Sequence, residues 1–335
     1  MNLKEIAEKA GVSTATVSYV INGKYHKLSQ ETITRVQKII EDNEYVPNAT
    51  ARSLSCKKSR IIGVVVPNLG LDENFFVNPY NAHLLALLEQ YIRNQDYYMM
   101  MRCVGRCKEV APLFSSWNAE GIILVGAFKS EVEEIHRKLK VPTVFVDTYA
   151  EEFGITNIGI DDRKGGYLAA RYLLGKGHRQ IAFVGPNVES PGVIQQRYLG
   201  FCDACGEMGV EITPKHIFEA YTLYQHGVVS GQKIAASSLK FTAVAVMSDI
   251  VAFGVIEGLR LCGLSVPNDV SVIGFDNLPE CQYSNPKLTT ISQNLPQKVK
   301  LVGESLFKMI RNEPVSTAEM IDVEIIERQS VKDLR

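Results

Sequence analysis

The sequence predicts an α/β protein: a three-helix head followed by a larger body built from two doubly wound units. Three observations predict it. Residues 3–40 carry apolar residues at helical spacing, interrupted at Gly11 and at Asn22-Gly23. From Ile61 onward, short β-rich apolar runs alternate with helical stretches, the pattern of parallel strands covered on both faces. Those runs fall in two sets, before and after about residue 161, each shaped like a doubly wound unit. A length of 335 residues allows two or three folding units, and 46% hydrophobic with 22% charged residues is the balance of a well-packed protein.

In the head, Asn2 and Glu5 have the spacing of a capping box, and Leu3, Ile6, Ala7 and Ala10 form one buried stripe. Gly11 ends that helix. Ser13 caps a second one, with Val17, Val20 and Ile21 on its apolar side. Its other side carries the pairs Thr14/Ser18 and Ala15/Tyr19, and Asn22-Gly23 closes it. A third helix opens at Ser29, with Glu31 in its first turn, and buries Ile33, Val36, Ile39 and Ile40. Two short helices around a tight turn with a third closing the core is a helix-turn-helix arrangement, whose second helix faces a DNA major groove. A three-helix cap without a ligand has the same pattern. Charge favours the first: residues 1–60 hold ten Lys or Arg against six acids, net +4, which leaves −5 on the rest of a chain of net charge −1.

The stretch "EYVPNATARSLSCKKSR", Glu44 to Arg60, follows. Pro47 suits a helix start, but a helix of about two turns is not stable alone in water. "SCKKSR" then reads as a flexible basic link. In the body the expected strands are "IIGVVV" (61–66), "YYMMM" (97–101), "GIILV" (121–125), "PTVFV" (142–146), "IAFVG" (181–185), "AVAVM" (243–247) and "SVIGF" (271–275).

Several classes are disfavoured. Seven cysteines, lying mostly in apolar stretches as Cys103, Cys202 and Cys262 do, read as buried thiols of a reducing compartment. Cys202 and Cys205 have CxxC spacing but share one amphipathic helix without a second Cys or His pair, so no metal site is expected. No apolar run is long enough for a membrane helix, and residues 1–20 carry Lys4, Glu5, Glu8 and Lys9 in place of a secretory stretch, so a cytoplasmic location is expected. "GVVSGQK" (227–233) lacks phosphate-loop spacing, there is no GxSxG or HExxH, and the six histidines are scattered. Neither an enzyme nor a cofactor is expected.

The strings "IAEKAGVSTATVSYVIN", "ETITRVQKIIEDNEYVPNATARSL", "IIGVVVPNL", "GGYLAARYLLGKGHRQIAFVG", "SDIVAFGVIEGLRLCGLSVPNDVSVIGFDN" and "LTTISQNLPQKVKLVGES" resemble the LacI/GalR bacterial repressors, in that family's order and over essentially the whole chain. The resemblance implies a helix-turn-helix domain (1–46), a hinge helix and linker (47–60), and a type I periplasmic-binding-protein-like body (61–335). That body has lobe 1 at about 61–161 and 293–319 and lobe 2 at about 162–292 and 320–335, with three crossing strands. "KLTTISQ" then returns toward lobe 1 and "MIDVEIIERQ" ends in lobe 2.

In such proteins the residues after the turn Ser read base edges, which implies Thr14, Ala15 and Tyr19, with Leu54 of the hinge helix wedged in the minor groove. Lys4, Asn22, Lys27, Arg35 and Tyr45 are then phosphate contacts, which set register rather than sequence. Ordinary packing is the other role open to Leu54. For the effector cleft the resemblance implies Tyr80, Asp147, Asp161, Arg197, His226, Asp276 and Gln293. Carboxylates and a guanidinium suit vicinal hydroxyls, and a ring suits a sugar's apolar face. Asp147 and Asp161 equally suit caps of turns or helices.

Departures exist. His226 replaces a large aromatic, Val193 replaces a polar contact, and Pro191 stands where a purine-binding member has an arginine, which disfavours a purine. "LGLDENFFVNPYN" is longer than the usual loop, which bears on Tyr80. The expected partners are near-palindromic double-stranded DNA, a small-molecule effector of carbohydrate type, and a second copy in a homodimer, with no membrane. The spare leucines of "AHLLALLEQYIRNQ" (82–95) are assigned to the dimer or to the core, and the end at "QSVKDLR", without a leucine heptad, argues against a tetramer. The expected function is a DNA-binding transcriptional regulator, a repressor under effector control. A sugar-binding protein without regulatory DNA binding is the alternative, and the +4 head and missing leader oppose it.

Overall fold

The computed structural model describes residues 2–21, 23–45, 58–67, 76, 78–104, 110–126, 129–149, 154–186, 188 and 192–335. Asn22, Leu54 and Pro191, and residues 46–57 of the expected hinge segment, lie outside the described residues. The chain divides into two units, Met1–Arg60 and Ile61–Arg335.

The head holds α1 (Leu3–Ala10), α2 (Thr14–Ile21) and α3 (Gln30–Asp42). The capping box forms as expected: Asn2 Oδ1 accepts from the Lys4 and Glu5 amides, and Glu5 accepts from the Asn2 N–H at 3.0 Å. Gly11 ends α1 with φ 63°, a conformation open to glycine at little cost. Ser13 Oγ accepts the Thr16 N–H at 3.1 Å, and Ser29 caps α3. Ile6, Ala7, Ala10, Val17, Val20, Ile33 and Val36 form the core, against which Ile39, Ile40 and Tyr45 pack.

The body is two six-stranded sheets. The first contains β1 (Ile61–Pro67), β2 (Tyr98–Val104), β3 (Gly121–Val125), β4 (Thr143–Val146), β5 (Thr156–Ile160) and β11 (Ala318–Ile321), in the order β2-β1-β3-β4-β5-β11. The second contains β6 (Ile181–Gly185), β7 (Ile217–Glu219), β8 (Ala243–Val246), β9 (Ser271–Asp276), β10 (Thr289–Ser292) and β12 (Glu324–Ile326), in the order β7-β6-β8-β9-β10-β12. The two orders are the same, and every pairing is parallel except β10 with β12. Alternation shows that both sheet faces are covered. Ile62, Val64 and Val66 of β1 join one apolar cluster while Val65 joins another, and in β8 Ala243 and Ala245 part from Val244 and Val246 in the same way.

The body helices are α4 (Pro79–Asn94), α5 (Val110–Ser116), α6 (Lys129–Lys138), α7 (Asp162–Gly175), α8 (Val193–Glu207), α9 (Tyr224–Ala235), α10 (Asp249–Leu261) and α11 (Leu295–Ile310). Among the described residues no helix is long and apolar enough to cross a membrane. The seven expected runs are strands, whereas β5 and β7 are not evident from the sequence. β5, "TNIGI", has too few apolar residues in succession, and β7 is a three-residue edge strand. The chain crosses between sheets at 161, at 293–294 and at 322–323. The last crossing lies beyond the expected 319/320 boundary because β11 still pairs with β5 through Ile321. The leucines of α4 have a plain role: Leu84, Leu85 and Leu88 are core, Leu87 packs against them, and α11 covers the helix, with Tyr91 6.2 Å from Phe307.

Two helix crossings are closed on glycine. A Cβ on Gly166 of α7 would sit 1.8 Å from the Arg197 carbonyl oxygen, and one on Gly200 of α8 would sit 1.8 Å from that of Arg163. Gly227 and Gly254 join α9 to α10 in the same manner. Gly166→Ala therefore forces the helices apart and is expected to cost about 1–3 kcal/mol, read as a lower urea midpoint; an unchanged midpoint would contradict a rigid crossing.

Candidate functional site

Thr14 and Ala15 are exposed on the second helix of the head, on the side away from its buried Val17 and Val20. Tyr19 is half-buried, and Lys27 Nζ lies 5.2 Å from its ring centroid, a cation–π contact. Lys4 and Arg35 are exposed, Arg35 3.8 Å from Glu31, while Tyr45 packs on the head core.

In doubly wound sheets ligands bind beyond the carboxyl ends of the strands. There β4 delivers Asp147, β8 Met247, β9 Asp276 and β10 Gln293. Asp147 (φ 52°), Asp276 (φ 119°) and Asn277 (φ 59°) all adopt the left-handed half of backbone space, which costs a non-glycine residue about 1–3 kcal/mol and persists where the surroundings impose it.

Two buried cations organise the set. Arg197 on α8 is 6% exposed; its Nε donates to Asp162 Oδ1 at 2.7 Å, its guanidinium to the Met247 carbonyl at 2.8 Å, and its plane lies 3.6 Å from the Phe275 ring centroid. Tyr149 donates to the other Asp162 oxygen at 2.5 Å. Lys298 on α11 is 0% exposed, and its Nζ lies 2.8 and 2.9 Å from the two Asp147 oxygens, 2.7 Å from Gln293 Oε1 and 3.1 Å from the Tyr80 hydroxyl. The Tyr80 hydroxyl is also 3.2 Å from both Asp147 and Gln293. Gln293 Nε2 donates to Asp276 at 2.6 Å, and Asp276 lies 4.0 Å from Arg197. Tyr80, Asp147, Gln293, Asp276 and Arg197 are thus joined in one network across both sheets.

Burial dominates the titration of this network. It raises Asp276 to about 8, with Asp249 pushing the same way and Arg197 and Gln293 opposing. It raises Asp162 despite the pull of Arg197. The phenols of Tyr80 and Tyr149 are raised by burial and by their carboxylate neighbours, so both stay neutral donors.

Two expected cleft residues are placed otherwise. Asp161 caps α7, its Oδ1 accepting the Lys164 N–H at 2.9 Å, and the carboxylate that meets Arg197 is its neighbour Asp162. The cap fixes Asp161 as the last non-helical residue and turns the next one inward. His226, near the start of α9, has Nδ1 accepting the Tyr221 N–H at 3.3 Å and a ring centroid 5.5 Å from that of Tyr221. Sequence reasoning missed Lys298, Asp162 and Tyr149. For Lys298 a signal existed: it is i+3 from Leu295 and i−4 from Val302, on the apolar stripe of its helix, where an unpaired lysine does not belong.

A helix-turn-helix head and a two-sheet body with a polar cleft define a DNA-binding regulator with a binding-protein body. Known proteins bear this out. Residues 2–48 match the description "Bacterial regulatory proteins, lacI family", and residues 170–331 match "Periplasmic binding protein-like domain". The ribose operon repressor of Haemophilus influenzae is 31% identical over 314 residues, 92% of each chain, and the repressor PurR of Vibrio parahaemolyticus is 31% identical over 339 residues, 99% of each. Among solved structures, the lac repressor dimer bound to operator and the anti-inducer ONPF aligns with a TM-score of 0.87 at 23% identity over 99% of both chains. A LacI family regulator from Enterococcus faecium with bound ribose aligns with 0.71 at 26% identity, covering 82% of this chain and 100% of that one. The chain belongs to the LacI family of bacterial transcriptional regulators.

Lys298→Met leaves Asp147, only 14% exposed, without its cation, and about 3 kcal/mol of stability is expected to be lost; the double variant with Asp147→Leu should recover most of it in urea unfolding. A pH effect follows as well. Asp276 titrates higher folded than unfolded, so its contribution is full below about pH 4 and lost as pH rises toward 8. Stability should decline over that window, and Asp276→Asn should flatten the decline.

Proposed function

We propose that this protein is a dimeric, cytoplasmic repressor whose operator affinity is set by a sugar or sugar derivative bound between the lobes, and that it acts by binding and not by turnover. The observation that carries the reading is the buried network of Tyr80, Asp147, Asp276, Gln293, Arg197 and Lys298 at the strand ends, a set of donors and acceptors suited to hydroxyl groups. The ribose operon repressor among its relatives and the ribose-bound Enterococcus regulator support a sugar. Thr14, Ala15 and Tyr19 read base edges, Leu54 wedges the minor groove, and Lys4, Asn22, Lys27, Arg35 and Tyr45 hold the phosphates. Effector control requires that the ligand prefer one state of the protein by about 1–3 kcal/mol.

Selection of the purified protein on a randomised duplex pool at fixed salt tests this, since affinity depends steeply on salt. A near-palindrome is expected, and enrichment of no motif, with or without a metabolite mixture, would refute sequence-specific operator binding. Tyr19→Ala should cost about 1–3 kcal/mol at one base pair of each half-site, whereas Lys4→Ala should weaken all sequences alike.

A further inference from the structure

Resting on the cleft as effector site, we infer that the effector is uncharged, and that phosphorylated, carboxylated or amine-bearing relatives of it are excluded, because both cleft cations are already matched by carboxylates. Arg197 is held by Asp162 at 2.7 Å and Lys298 by Asp147 at 2.8 and 2.9 Å, each pair being nearly or wholly out of solvent. A third carboxyl, Asp276, accepts from Gln293 and sits 4.0 Å from Arg197. The network therefore holds two cations and three carboxyl groups, and no described cation in it lacks a counter-charge.

An anionic ligand has two ways in, and both are unfavourable. It can sit beside the existing pairs, where Asp147 and Asp162 repel it. Alternatively it can displace a carboxylate from Arg197 or Lys298, which leaves that carboxylate buried and unpaired, a loss larger than the new pair returns. Asp276, raised to about 8, is mostly protonated at neutral pH, so the cleft as a whole is near electroneutral and offers no free carboxylate to an amine. A neutral polyol meets none of these penalties. Its hydroxyls both donate and accept, so they exchange with the Tyr80, Gln293 and Asp276 hydrogen bonds one for one.

The test works with an effector of unknown identity. A bacterial metabolite extract is separated on anion and cation exchangers into neutral, anionic and cationic pools. Each pool is added to the full-length wild-type protein on its selected operator. The neutral pool is expected to change operator affinity by about five- to 150-fold in either direction, with the two charged pools inert. Activity in the anionic or cationic pool overturns the inference while leaving effector control standing. Inactivity of all three overturns effector control itself, and this inference with it.

Discussion

A guanidinium that is 6% exposed must find all its hydrogen bonds inside the protein, and much of the cleft follows from that requirement. Arg197 obtains Asp162, the Met247 carbonyl and the face of Phe275, which come from α7, the end of β8 and β9. Those three elements converge on one side chain only if α8 lies very close to α7. Glycine at 166 and 200 permits it, since a methyl group at either position would overlap a carbonyl oxygen of the other helix. The helix crossing and the cleft are therefore one feature. Moving α8 outward by the width of a methyl would break the 2.7 Å bond to Asp162 before it disturbed the apolar core.

Lys298 plays the corresponding part on the other sheet and adds a direction. An ammonium can only donate, so the Gln293 oxygen must face it, and the amide nitrogen must then face Asp276. Gln293 sits at the second crossing between the sheets, so the lysine of one lobe dictates which end of the amide meets the carboxyl of the other. Tyr149 makes a second link of this kind, from the end of β4 to Asp162 at the start of α7. The Tyr149–Asp162 hydrogen bond is the one that separation of the lobes would exchange for water.

The legible part of this protein is the part written in periodicity. The capping box of α1, the Ser13 and Ser29 caps and the strand runs depend on neighbours within a few residues, and each forms where expected. The cleft residues at strand ends are reached through family resemblance, which supplies types and positions but not partners. That is why the resemblance points to Asp161 and passes over Asp162: adjacent aspartates look alike in sequence, and the cap geometry that separates them is three-dimensional. Lys298 escapes notice because charged residues in helices are usually solvated. Its acceptors lie at residues 80, 147 and 293, too far apart along the chain for any local pattern to display.

The closed network also bounds how a small molecule can act on it. Every polar group described in the cleft already has a partner, so a ligand gains little from hydrogen bonding as such; each exchanged bond is worth about 0.5–1.5 kcal/mol at most. A coupling of about 1–3 kcal/mol therefore requires only two or three bonds made in one arrangement of the lobes and missing in the other. Tyr149 and Asp162 are suited to supply that difference, because Tyr149 follows β4 of one sheet while Asp162 opens the helix packed on the other. A ligand that bridges them favours this spacing, and one that must part them favours another. Under effector control, the sign would follow from whether the effector leaves the 2.5 Å phenol–carboxyl bond in place or breaks it.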